Sequence, residues 1–559
     1  MNKMKYETFI KEFSSSMVEE QFVGCLDSGI NVCVEICDRY ASTDKIALRY
    51  ERADGSSGEM SFKTLKNRSA QFANYLYSQG IGKGDRVAGL LPRTPELLIT
   101  IVGTLRVGAV YQPLFTAFGG DAIEYRLNQA NTKLIVTNSD QWPKLGEIEV
   151  LPKTLLIADS DDHYASEADA LFDQAQSNQS DQFEPVLIGK DDPFLQMFTS
   201  GTTGKSKGVS IPAKALIPFW IYMTYAIELR PDDRFWNVAD PGWAYGLYYA
   251  VVGPLLLGCT THFNEQGFTA DNTFKFLQDY RITNLAAAPT AYRLLMANEN
   301  QLAEYAAIHL RVASSAGEPL NPEVISWVQR SFGCSVKDQY GQTETGMTSA
   351  NFHALDHEER TACMGYPLPG YRLVALDDQL NEVGPGETGE LAVDLEASPQ
   401  FFFQGYTWEE KNPFRGKYYL TGDIVISHGD GSHSYAGRDD DIIASSGYRI
   451  GPVDVESSLL KHPAVTESAV VGKPDKKRGS IIKAYVVIKP EYEAGPMLME
   501  ELQQFVRQHL SAHAFPREIE FLDELPKTSS GKLQRFLLRQ RAAAEERLEH
   551  LDVDDTLQH

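Results

Sequence analysis

Cysteine is scarce in this chain of 559 residues: Cys25, Cys33, Cys37, Cys259, Cys334 and Cys363 include no CxxC pair, and no histidine stands at metal-ligand spacing from them. That spacing argues against a zinc module and supplies no disulfide framework. Cys33 and Cys37 would share a helical face, as ordinary buried thiols do. Blocks of Lys or Arg are missing too, and the net charge is −24. Without a basic track along a phosphate backbone, nucleic acid is not an expected partner. A small polyphosphate stays compatible with the charge, since backbone amides and a few local cations suffice for it. No apolar run reaches the roughly 20 residues of a membrane span. The most apolar stretch, GWAYGLYYAVVGPLLLG from Gly242 to Gly258, contains an internal Gly-Pro and reads as a buried wall. The N-terminal MNKMKYETFIKEFSSSM carries acidic residues and no signal-peptide core, which suggests a cytoplasmic location. Repeats and long low-complexity tracts are absent as well.

What is present is ordinary globular composition, 43% hydrophobic and 23% charged, at a length beyond which one core stops growing. At least two domains are expected. Helical stretches such as FKTLKNRSAQFANYLYSQG alternate with short apolar runs such as RVAGLLP and TKLIVTN, the pattern of an α/β domain of sheets flanked by helices. The polar segment 159–182 reads as a loop or irregular helix. From Tyr371 the texture changes to short strands with turn signals, and a smaller α+β unit begins near Gly437. That division gives domains 1–436 and 437–559. The smaller one contains the runs DIIASSGYR, ESAVVGKP and IIKAYVVIKP and the helical PMLMEELQQFVRQHL.

The chemistry begins at Thr199–Val209, TSGTTGKSKGV, directly after the apolar run PFLQMF. Glycines allow close backbone approach, the hydroxyls of Thr199, Ser200, Thr202 and Thr203 can donate to phosphate oxygens, and Lys205 and Lys207 offset negative charge. The loop can cradle a polyphosphate. It is not a Walker A loop, because that motif needs four residues between its glycines and only Thr202 and Thr203 separate Gly201 from Gly204.

Further elements follow in order: SAGEPL (Ser315 to Leu320), DQYGQTETG (Asp338 to Gly346), YLTGD (Tyr419 to Asp423), GRDDDIIASSGYRIGP (Gly437 to Pro452) and PKTSSGKLQR (Pro526 to Arg535). With the loop they resemble the adenylate-forming superfamily of acyl-CoA synthetases, luciferases and peptide-synthetase adenylation domains, and lie nearest to its acetyl- and medium-chain acyl-CoA synthetase branch. Ser206 stands where that family usually has Pro. The resemblance implies a large N-terminal domain with a small barrel-like β subdomain and a mobile C-terminal domain. It places Thr199 to Lys205, Gly317, Glu318, Pro319, Asp338, Gln339, Tyr340, Gly341, Gln342, Thr343, Asp423, Arg438 and Lys532 around ATP or AMP. Tyr340 offers an aromatic face for adenine, Thr343 a contact to the α-phosphate, and Glu344 a hard oxygen for Mg2+. Asp423 can accept from both ribose hydroxyls. Lys532 matches the adenylation lysine, whose ammonium reaches both the acid and the α-phosphate. Thr343, Glu344 and Lys532 are therefore the candidate catalytic residues.

By the same resemblance, Ser446, Gly447, Arg449 and Arg478 lie by coenzyme A, and Asp440 is the hinge about which the small domain turns. Lys473, Lys476 and Lys477 add local positive charge there. Trp243, Ala244, Gly246, Leu247, Tyr248 and Gly341 line the acyl and pantetheine tunnels. Acetyl-specific relatives carry Trp at the position of Gly341, so a medium-chain, branched or aryl acid is expected. The implied partners are ATP, a carboxylic acid and coenzyme A, and a homo-oligomer is compatible with the sequence. Transfer to a free-standing carrier protein stays an alternative, as does a non-catalytic nucleotide sensor. The 27 residues after Lys532 are too few for a fused carrier domain.

Overall fold

The structure is a computed structural model that describes residues 3–146, 148–158, 161–199, 206–305, 308–408, 412–438, 441, 443–445, 448–475, 479–510, 514–527 and 533–556, with the backbone alone at 444, 445, 448, 449, 479 and 546–556. The chain divides into two units: residues 1–320, 324–372 and 394–417 form one, and 321–323, 373–393 and 418–559 the other.

Two sheets organise the larger unit. The first orders its strands as Lys207–Pro212, Pro193–Thr199, Val110–Leu114, Arg86–Leu90, Leu134–Asn138, Lys153–Ile157 and Ala170–Leu171. All neighbours run parallel except the first pair, Lys207–Pro212 and Pro193–Thr199, which is antiparallel. Their Val/Ile/Leu-rich central strands are almost wholly buried, as parallel strands covered on both faces must be. Helix Phe62–Ser78 opens with Ser61 accepting from the Thr64 amide. It packs with helix Pro95–Arg106, in which buried Arg106 donates to both oxygens of Asp38 at 2.7 and 2.6 Å.

The second sheet runs Phe235–Asn237, Asn284–Ala287, Val312–Ala316, Val336–Gln342, Gly346–Ala350 and Tyr366–Pro367. Its first four strands are parallel and the last two antiparallel. Helices Ala270–Asp279, Pro289–Ala297 and Pro322–Phe332 cover it around Trp236, Phe274, Phe276, Tyr292 and Trp327. Segment 159–182, read as a loop or irregular helix, contains the short strand Ala170–Leu171 and helix Phe172–Ser177 in its described part. The apolar stretch from Gly242 is a wall of helical turns, with every residue from Gly246 to Leu256 buried. No helix among the described residues is long and apolar enough to cross a membrane.

In the smaller unit, strands Leu373–Leu376, Thr388–Asp394, Tyr418–Ser427 and His433–Arg438 form one sheet. A second sheet, Val465–Asp475, Gly479–Ile488 and Glu518–Phe521, packs with helices Pro452–Leu460, Pro496–His509 and Arg535–Thr556. The buried thiols of Cys33 and Cys37 are pushed up by burial, away from the reactive thiolate.

Buried histidines make the fold sensitive to acid. Burial lowers His262 and His433 to about 4, and His353 well below its ordinary value. The unfolded chain therefore binds these protons first as pH falls. The stability they contribute is complete above about pH 6.5 and is lost progressively toward pH 4, on the order of 1–3 kcal/mol each for His262 and His433. Thermal midpoints are expected to drop from pH 7 to pH 4.5, and His262→Phe should lessen the slope by about one proton. An unchanged slope in that variant would remove His262 from the account.

Candidate functional site

The strand Val336–Gln342 delivers the most distinctive motif. It lies parallel to Val312–Ala316 and antiparallel to Gly346–Ala350, with a register shift after Tyr340. Strand alternation sends Asp338 and Tyr340 to one face and Gln339 to the other. Burial pushes the Asp338 carboxyl up to about 8, opposed by the amides of Gln339 and Leu320. Gln339 is 2% exposed, and its Oε1 accepts from the Tyr222 hydroxyl. Gln342 closes the strand with its amide on Thr345 Oγ1 at 3.2 Å.

Gly341 has a different role from the one its sequence position suggested. A Cβ there would lie 2.2 Å from the Gly346 carbonyl oxygen and 2.6 Å from Met347 Cα. The missing side chain lets two backbones meet at the register shift, so its absence alone opens no acyl cavity.

Glu344 is nearly buried, and its Oε1 accepts from the Tyr406 hydroxyl at 2.9 Å. Lys207 Nζ lies 4.6 Å from the centre of the same tyrosine ring. Lys207, read as a phosphate-offsetting cation, is thus buried against Tyr406 in a cation–π contact. The Thr343 carbonyl accepts from Tyr248 Oη at 3.0 Å, and the Tyr248 ring stacks on Phe219. Glu318 is held from helix Pro289–Ala297: Thr290 Oγ1 donates to both its oxygens at 2.9 and 2.7 Å, and Arg293 donates to Oε2. Gly317 and Glu318 follow the strand Val312–Ala316, with Pro319 next in the turn toward helix Pro322–Phe332.

Ser206 gives a reason for its departure from the family's Pro. Its hydroxyl accepts from Arg126 at 2.7 Å and its carbonyl from Tyr125 Oη at 3.0 Å, which ties the described end of the loop to helix Gly120–Ala130. Of the residues expected around the acyl group, Trp243 packs on Phe115 and Phe118, each at 5.5 Å, Ala244 is partly exposed, and Gly246, Leu247 and Tyr248 are buried.

In the smaller unit, Asp423 and Arg438 face each other across the hairpin, with Arg438 Nη1 3.1 Å from Asp423 Oδ1. Gly422, at φ +72°, leaves room for this pair, since a Cβ there would stand 2.9 Å from Arg438 Nη2. Lys473, expected to add positive charge toward a nucleotide, is buried and donates to both oxygens of Glu518 at 3.1 Å. Thr199 ends its strand opposite Lys207. Ser200, Gly201, Thr202, Thr203, Gly204, Lys205, Asp440, Ser446, Gly447, Lys476, Lys477, Arg478 and Lys532 lie outside the described residues, and Arg449 has its backbone alone described, in the strand Tyr448–Ile450.

Sequence reasoning missed Tyr406, Thr290, Arg293 and Arg126. None belongs to a motif, and each reaches its partner across at least 25 residues of chain.

A two-sheet unit with a buried carboxylate just beyond a strand end, and a second unit with an Asp–Arg hairpin, is the architecture of an adenylate-forming enzyme. The chain belongs to the AMP-binding enzyme family. The family's AMP-binding enzyme model matches residues 37–406 and its C-terminal domain model residues 454–532. It is similar to the acetyl-coenzyme A synthetase of Bacillus subtilis, 35% identical over 96% of this chain and 95% of that one. It also resembles the human mitochondrial acyl-coenzyme A synthetase ACSM4, 34% identical over 92% of this chain and 91% of that one. Among solved structures, an acyl-CoA synthetase of Brucella canis is 50% identical, with TM-score 0.78 and coverage of 97% of this chain and 100% of the other. The anthranilate CoA ligase AuaEII with bound anthranoyl-AMP is 26% identical, with TM-score 0.85 over 96% of this chain and 100% of that one.

Proposed function

We propose that this chain is an AMP-forming acyl-CoA synthetase, an acid–thiol ligase acting on a medium-chain, branched or aryl carboxylic acid larger than acetate. The observation that carries the reading is Glu344, a nearly buried carboxylate fixed by Tyr406 just beyond the motif strand, in a chain half identical to a solved acyl-CoA synthetase. In the first half reaction a substrate carboxylate oxygen attacks the α-phosphorus of ATP, the bond to pyrophosphate breaks, and an acyl-adenylate forms. In the second, the thiolate of coenzyme A attacks the acyl carbonyl and AMP leaves. The protein positions the reactants and neutralises charge, so it needs no nucleophile of its own.

Glu344 fits Mg2+, which supplies charge neutralisation on the polyphosphate when bound. The carboxylate offers a hard oxygen with its orientation already set. No group of three or more His, Cys, Asp or Glu that could hold a metal occurs among the described residues, so Glu344 is the one protein residue that would hold the ion in this proposal. Asp423 receives the ribose hydroxyls with Arg438 beside it, Lys532 contacts the acid and the α-phosphate, and residues 437–559 turn about Asp440 between half reactions. Ser446, Gly447, Arg449 and Arg478 receive coenzyme A in the second.

A larger acid is supported by the likeness to the anthranilate ligase and to a Burkholderia xenovorans benzoate CoA ligase, 26% identical over 91% of this chain. A panel from acetate through hexanoate to benzoate and anthranilate, read for AMP and acyl-CoA by mass spectrometry, tests both acid and acceptor. Turnover of at least one larger acid should exceed that of acetate by about a hundredfold in kcat/KM, the scale that apolar pocket filling supplies. Strict preference for acetate would overturn the size assignment, and AMP release without acyl-CoA would point to a carrier protein.

A further inference from the structure

Gln339 turns away from the side of its strand that carries Asp338 and Tyr340. Its amide is buried, and while Oε1 accepts from Tyr222, Nε2 has no hydrogen-bond partner among the described residues. Tyr222 opens the π-helical turn Tyr222–Ala226. The Tyr245 hydroxyl interacts with that of Tyr222, yet it too is shut off from solvent and has no partner in hydrogen-bonding geometry. The Tyr245 ring stands 5.9 Å from that of Tyr249, which begins the wall behind it. Burial pushes both phenols up, so each keeps its proton.

Together the amide and the two phenols carry four polar hydrogens; one is donated to Gln339 Oε1, and the contact between Tyr222 and Tyr245 engages at most one more. Exchanging the amide oxygen and nitrogen leaves the set still rich in donors. Buried donors are nearly always paired, and an unpaired group in a native protein calls for a cause. π-helical turns, present here at Tyr222–Ala226 and Leu247–Val252, recur at functional sites. Tyr245 itself is partly exposed, so one side of its ring faces outward from this cluster.

We propose that the acid activated by this chain carries a hydrogen-bond-accepting oxygen on its acyl part, received by Gln339 Nε2 and Tyr245 Oη. This rests on the acyl-CoA synthetase reading above and narrows its substrate class to oxo-, alkoxy- or nitro-substituted acids. A hydrocarbon chain would offer these buried donors no acceptor, and sites built to hydrogen-bond a substrate group discriminate strongly against analogues that lack it. The assignment moves Gln339 from the adenine side, where the motif had placed it, to the acyl side.

Pairs of acids equal in shape and different in one oxygen test the proposal on the unmodified enzyme: levulinate against isocaproate, and para-acetylbenzoate against para-isopropylbenzoate. The oxo member of at least one pair is expected to show kcat/KM for acyl-CoA formation at least about tenfold higher. Gln339→Leu and Tyr245→Phe should each bring that pair to about parity by lowering turnover of the oxo acid, with KM for ATP unchanged. Equal turnover within both pairs by the unmodified enzyme, or equal losses on both members in the variants, overturns the inference and leaves the synthetase activity standing. Failure of these acids and of the wider panel to yield acyl-CoA would overturn the synthetase reading and this inference with it.

Discussion

Lys532→Ala is expected to lower acyl-adenylate formation by about a thousandfold while thioester formation from supplied acyl-adenylate and coenzyme A stays close to the unmodified rate. The asymmetry follows from where charge develops. In adenylation a carboxylate approaches an already anionic α-phosphate, and a flexible ammonium that reaches both removes the repulsion at the transition state. In thioester formation the phosphate departs as AMP and the acid is no longer charged, so the same cation has little to stabilise. Pyrophosphate release measures the first half reaction and acyl-CoA formation from synthetic adenylate the second. Equal loss of both would contradict the assigned role of Lys532 and the turning of the small domain.

Glu344→Gln should reduce adenylation by about a hundredfold and raise the Mg2+ concentration needed for half-maximal rate. The substitution preserves shape and keeps an oxygen that can accept from Tyr406, so it isolates the charge. Tyr406→Phe removes that one hydrogen bond and keeps the ring against Lys207. A single neutral-to-charged hydrogen bond contributes about 1.5–3 kcal/mol, and loss of orientation alone should therefore cost less than loss of the charge. Rates measured across a Mg2+ titration separate the two variants. If Glu344→Gln kept the unmodified rate and Mg2+ dependence, the carboxylate would be no cation ligand.

Much of the architecture could be read along the chain because its signals are local. Apolar runs such as LIVTN at Leu134–Asn138 became buried parallel strands, and PMLMEELQQFVRQHL became helix Pro496–His509. Side-chain period and turn residues act over a few positions, so neighbouring residues suffice to reveal them. The Gly242–Gly258 stretch also became the buried wall its composition suggested, although its π-helical turns had no sequence sign. Gly341 shows where local reasoning stops. Its neighbours in sequence suggested a pocket, whereas the nearest atoms to the absent Cβ belong to the returning strand at Gly346 and Met347.

The sequence by itself determined the family, through ordered motifs whose residue types are dictated by the chemistry of a polyphosphate and an adenylate. It also determined which carboxylates and cations were available to the site. Only the tertiary structure decided how those groups are held. Lys207 packs against the ring of Tyr406, Lys473 turned inward to Glu518, and Ser206 acquired Arg126 as a partner. The reason is physical: a charge lowers its energy by finding the nearest partner in space, and folding brings Tyr406 beside Lys207 across 199 positions of chain. The same long-range packing buried Gln339 with its Nε2 unmet among the described residues, a property no stretch of sequence displays.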